Sequence, residues 1–254
     1  GSTIYNVTQN GSGGTYTLQG NLTVSNVLTI TAGTLDASSR TITLSGTTGT
    51  PFSNSGTFTS STSTVSYTGN YGSGNTTVVA TTYYNLTLNN ASETYALGGD
   101  ATISNVLTIT AGTLDASSRT ITLPGTGTIF SNTGTFTGST STVSITDTSS
   151  SSKTIVGGGA TFYNFSITGS GSGAVIIQGS NTFSTLTIGA PKTVTLTSGT
   201  TQTLSNLSCT GTAGNLITIG ASTTSAATLS KSSGVVSCDY LDLSYSTATG
   251  GAAA

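Results

Sequence analysis

"SNVLTITAGTLDASSRTITL" fills residues 25–44, and the same twenty letters return at residues 104–123. Inside the stretch, Val27-Leu28-Thr29-Ile30 and Thr41-Ile42-Thr43-Leu44 alternate apolar with β-branched polar residues, the period of a half-buried strand. Thr193-Val194-Thr195-Leu196 repeats the pattern far downstream, and Gly, Asn and Ser separate such runs. No apolar 3.6 period persists over ten residues, and β-branched residues and Gly both oppose a helix. The predicted class is all-β, without helices.

The duplication is part of a longer period. Tyr5-Asn6-Val7-Thr8 is echoed by Tyr84-Asn85-Leu86-Thr87 and then by Tyr163-Asn164-Phe165-Ser166, at the same offset both times. Three modules follow, at about 3–81, 82–160 and 161–254, within one domain spanning 1–254. A shorter beat lies inside them. Val7 to Leu28, Phe162 to Phe183, and Leu186 to Leu207 are all steps of 21 residues. Steps of roughly 20–30 residues suit coils of a parallel β-solenoid with two or three short strands each. Stacked coils bury apolar sides that no single coil can bury alone. Tandem β-sandwiches are the alternative, because short strands with frequent turns also read that way.

Composition removes several functions. Only 5% of residues are charged and there is no His. Five basic residues scattered singly cannot build the patch that nucleic acid requires, and no apolar run is long enough to span a membrane as a helix. A Ser–His pair or a His-ligated metal is excluded. The acids are Asp36, Glu93, Asp100, Asp115, Asp147, Asp239 and Asp242, and none falls in a catalytic motif. With about three coils per module and about 4.8 Å per coil, Asp36 and Asp115 stand about 14 Å apart, too far to share a glycosidic bond. The turn "DASSR" predicts an Asx hydrogen bond with a local ion pair, Asp36–Arg40 and again Asp115–Arg119. Asp239 and Asp242, read as one strand, point to opposite faces. The glycine runs at 157–159 and 169–173 read as loops. The chain is therefore expected to have no catalytic residues, metal or cofactor.

Cys209 and Cys238 are separated by a somewhat longer step than the short beat. If that step is one coil, they stack within disulfide reach, which would close a loop worth roughly 3 kcal/mol. Two buried thiols are the other outcome.

"YNLTL", "GTLD", "TITLSG" and "FSNSGTFT" resemble the Thr/Gly-rich β-helical repeats of large secreted bacterial surface proteins and of some phage tail proteins. The resemblance covers nearly the whole chain. It implies a β-helical fold, a secreted or cell-surface location, and an adhesive or structural role.

Three functions remain. The first is an extracellular structural protein that stacks head to tail through uncapped ends, with itself as partner. Its end strands are expected around Ile4, Tyr5 and Val7 and around Val236, Tyr240 and Leu241. The second is an adhesin stalk or tail segment that holds surface glycans. The third is an ice-binding protein, from Thr-X-Thr pairs at Thr29–Thr31, Thr41–Thr43, Thr57–Thr59, Thr108–Thr110 and Thr135–Thr137.

Overall fold

The computed structural model describes residues 1–251, so the end of the third module, 252–254, lies outside the described residues. The chain is an all-β parallel solenoid of about twelve stacked coils, and no helix occurs among the described residues. Among the described residues, 23 strands form one continuous hydrogen-bonded sheet, and every strand pairing is parallel.

One line of side chains shows how the stack is held. From Leu22, successive partners one coil on are Ile42, Val65, Leu86, Leu107, Phe130, Ile155, Ile177 and Leu196. All are buried. The step is not constant. It is shortest from Ile177 to Leu196 and longest from Phe130 to Ile155, and the excess is spent in corners and loops. Their neighbours in sequence, Thr23, Thr43, Ser66, Thr87, Thr108 and Ser131, point out and stack in the same way. The period-2 pattern thus becomes an apolar interior and a hydroxyl exterior.

The coil is three-sided. The strand Ala101–Asp115 is covered in turn by Thr120–Leu123, Gly127–Asn132 and Thr135–Thr137. Leu22–Asp36 is covered likewise by Thr41–Leu44, Phe52–Asn54 and Thr57–Thr59. Each long strand therefore bends at two corners.

The module does not fill a whole number of coils. Four coils carry Leu22 to Leu107, whereas the module repeat carries it to Ala101, six positions short. Three coils per module is therefore corrected: a module takes almost four, and each copy is turned about the axis by one face. The six-position shortfall is the distance from one strand segment of a coil to the next. Asp36 and Asp115 consequently sit on different faces. The Thr-X-Thr pairs do too: Thr43 and Thr108 share one row, Thr29 lies in the row of Thr8 and Ser53, and Thr137 in the row of Asp115 and Thr161.

The second glycine run has a packing reason. Residues 169–173 lie against 147–151 of the coil below, with the Gly171 and Gly173 N–H groups donating to the Asp147 and Ser149 carbonyls. A Cβ on Gly171 would lie 2.2 Å from the Ser149 carbonyl oxygen, and one on Gly173 2.0 Å from that of Ser151. Two lysines stitch this bulge to the core. Buried Lys153 pairs with Asp147 and donates to the Ser149 carbonyl at 3.2 Å; buried Lys192 donates to the carbonyls of Gly169 and Gly171.

A pair of neighbouring truncations separates interior from exterior. Leu107→Ala removes buried volume between Leu86 and Phe130 and is expected to cost about 2–5 kcal/mol. Thr108→Ala, next in sequence and facing out, is expected to stay within about 0.5 kcal/mol. Urea unfolding of the two variants measures the difference, and equal losses would contradict the assigned register.

Candidate functional site

Three features stand out from the regular stack: the turn acids, an outward hydroxyl face, and the two ends.

The turn acids are committed to structure. The Asp36 carboxylate accepts the Ser38 N–H at 2.8 Å and the Ser61 hydroxyl of the next coil at 2.9 Å. Asp115 does the same with Ser117 and Ser139, at 2.8 and 3.0 Å. The Asx turn forms, but the Asp36–Arg40 and Asp115–Arg119 ion pairs do not. The backbone closes the turn instead, from the Arg40 N–H to the Ala37 carbonyl and from the Arg119 N–H to the Ala116 carbonyl, and the carboxylate is held by Ser donors. Lys153–Asp147 is the ion pair found among the described residues. Burial alone would raise the Asp147 pKa, but Lys153 and the Ser149 donors outweigh it and hold the carboxyl below its usual range. Among the described residues no three Cys, Asp or Glu gather as metal ligands.

The hydroxyl face is more regular than its sequence. Thr82, Thr102, Thr122, Ser144, Ser166, Thr187 and Ser208 form one outward row. Thr120, Thr142, Asn164, Thr185 and Asn206 form a second row beside it. Spacing along each row is about 4.8 Å and between rows about 7 Å. None of these residues carries a charge.

The ends expose the core. Ser2–Thr17 pairs on one side only, with Leu22–Asp36. At the other end, among the described residues, Leu241–Ser244 pairs only with Ile217–Ala221, and Ser246–Thr249 only with Ala227–Ser230. A cavity of about 460 Å³ opens there, floored by Leu204, Leu207 and Leu229 and walled by Val236, Leu241 and Leu243. A smaller one of about 250 Å³, lined by Ile4, Val7, Tyr16 and Leu18, opens at the first coil. Ile4, Tyr5 and Val7 lie on an end strand, as does Leu241. Val236 and Tyr240 do not. They belong to a strandless crossing at 231–240, where Tyr240 takes a left-handed φ of 52° that ends any ladder. Asp239 lies in the same crossing, so it shares no strand with Asp242; its carbonyl accepts the Gly211 N–H.

A disulfide joins Cys209 to Cys238, with Cα atoms 5.3 Å apart. It ties the crossing to the coil beneath and leaves no free cysteine among the described residues. Comparison with protein families, curated proteins and solved structures finds no match to this chain.

One buried cluster has no signal in the sequence. Tyr67, Tyr83 and Tyr95 are fully buried where the first module meets the second. The Tyr67 and Tyr83 hydroxyls share a hydrogen bond at 3.3 Å, Tyr83 donates to the Val79 carbonyl, and Tyr95 donates to the Tyr67 carbonyl. Burial pushes the Tyr67 hydroxyl up to about 12, against smaller downward pulls from Tyr83 and Val79. Burial also raises Tyr83, with Tyr67 adding to it, and raises Tyr95, with Glu93 adding to it. The unfolded chain ionises near pH 10. The neutral fold is therefore favoured fully below pH 10, and this contribution is lost as pH rises through about 12. Absorbance at 295 nm should show Tyr67, Tyr83 and Tyr95 ionising only as the fold melts. Ionisation of these three near pH 10 with the fold intact would contradict their burial.

Proposed function

We propose that this protein is a non-catalytic extracellular structural rod that lengthens by stacking head to tail. The observation that carries the reading is the pair of open ends. In the described chain each offers unpaired strand edges over an apolar floor, the kind of surface that soluble solenoids cover. The strands at both ends run in the same sense, so a second copy shifted along the axis meets them in parallel. A contact between different surfaces that does not close on itself gives an open filament. The disulfide suits an oxidising compartment. The charge-poor Thr/Ser exterior and the resemblance to secreted surface and phage-tail repeats support a place outside the cell.

The hydroxyl rows favour a second reading, ice binding. An uncharged array, one row of seven hydroxyls beside a row of five Thr and Asn side chains, can order water at a crystal face. Freezing-point hysteresis, lost in Thr122→Lys, is its test, and none at high protein concentration removes it.

For the principal reading, sedimentation velocity and negative-stain microscopy at micromolar protein should find rods one coil-stack wide whose mean length rises with concentration. A single monomeric species over a hundredfold concentration range would end the proposal.

A further inference from the structure

The chain contains its own module-to-module junctions, and they specify how two copies would meet. At the first, Thr64-Val65-Ser66-Tyr67 lies beneath Asn85-Leu86-Thr87-Leu88, residue against residue. At the second, Thr142-Val143-Ser144-Ile145 lies beneath Asn164-Phe165-Ser166-Ile167 in the same register. In both, the upper Asn donates its Nδ2 down to the lower Thr hydroxyl, at 3.2 Å for Asn85–Thr64 and 3.4 Å for Asn164–Thr142.

The first coil carries a third copy of the upper half. Asn6-Val7-Thr8 stands where Asn85-Leu86-Thr87 and Asn164-Phe165-Ser166 stand in their modules. Asn6 makes the upward bonds of Asn85: its Oδ1 accepts from Asn26 at 2.8 Å, as that of Asn85 accepts from Asn105 at 2.7 Å. Its Nδ2 has no hydrogen-bond partner among the described residues. The last strand, Leu241–Ser244, shows the alternation of the lower half without being a copy of it: in Asp242-Leu243-Ser244, as in Thr64-Val65-Ser66 and Thr142-Val143-Ser144, a polar residue faces out, an apolar one in, and a Ser out. Asp242 and Leu243 are exposed, and Leu243 is in register above inward Ile219 with nothing on top of it among the described residues.

Resting on the rod reading, we infer that the rod joint pairs Leu241–Ser244 of one copy with Ser2–Thr17 of the next, Asp242 opposite Asn6, Leu243 opposite Val7 and Ser244 opposite Thr8. The Asn6 amide then donates to the Asp242 carboxylate, which takes the place of the Thr hydroxyl used inside the chain. A charged acceptor makes this bond stronger than its internal counterparts. Leu243 and Val7 close the apolar column, joining the two end cavities into one interior. In this joint a second copy of this chain covers each end, through a pairing patterned on the contact the chain makes twice within itself.

Cysteine pairs read the register. Proteins carrying Asn6→Cys or Thr8→Cys are mixed with proteins carrying Asp242→Cys or Ser244→Cys and mildly oxidised, the native disulfide intact. The pairs 6–242 and 8–244 should cross-link several-fold better than 6–244 and 8–242, since directly opposed Cα atoms fall within disulfide reach and the diagonals do not. Separately, Asp242→Lys removes the acceptor and should weaken association about tenfold. Asp242→Thr copies the internal junctions and should restore most of it. Rods that form with equal or reversed cross-link yields, or that tolerate Asp242→Lys, overturn this register while leaving the rod intact. If sedimentation shows no association at all, the rod reading falls and the joint falls with it.

Discussion

Everything in this molecule depends on the parallel ladder between one coil and the next. A coil of about twenty residues has too little apolar surface to fold alone. Its inward side chains become a core only when another coil lies above and below. The ladder sets the spacing, and the period of two sets which side faces in. Leu, Ile, Val and Phe therefore recur at matched positions over nine successive partners, from Leu22 to Leu196. The same ladder explains the exterior. A strand residue that must not be apolar, yet must favour extended backbone, is best supplied by Thr. Side-by-side charges of one sign would repel along each row, which fits a chain with so few of them.

The duplicated stretch takes a different meaning from this geometry. It does not place two identical patches one above the other. Because a module falls short of four coils by one strand segment, the second copy sits on the next face around the axis. Any outward row is consequently assembled from different letters. Thr122, Ser144 and Ser166 come from unrelated-looking segments, yet they stand in line. The copying preserved a unit that can lie on any face, and what it preserved is compatibility with the coil above and below.

Several polar residues that enter the interior are tied to an irregularity, while others, such as Asn181 over Gln202, pair with each other within the regular ladder. Lys153, Lys192 and Asp147 hold the bulge at 147–151 and the glycine run above it. Glu93 accepts the N–H groups of Tyr71 and Thr76 and so closes the loop between them. The buried tyrosines hold the module boundary through Val79 and the Tyr67 carbonyl. The disulfide holds the strandless crossing at the last coil. In these cases a side chain holds a loop, bulge or crossing that the ladder alone does not.

The strand period, the long and short repeats and the absence of helix signals are local properties, and they are enough to read a parallel solenoid from residues 25–44 and their echoes. The Asx turns at Asp36 and Asp115 are legible for the same reason, since each bond reaches only the second residue on. The ion pairs expected with Arg40 and Arg119 fail because the competing donors, Ser61 and Ser139, come from the next coil. Val236 and Tyr240 look strand-like in composition, but a left-handed Tyr240 breaks the ladder there. What only the tertiary structure decided is the length of chain between stacked positions. Loops of variable length absorb it, so no periodic pattern reveals it. That length turns each module by a face and brings distant hydroxyls into line.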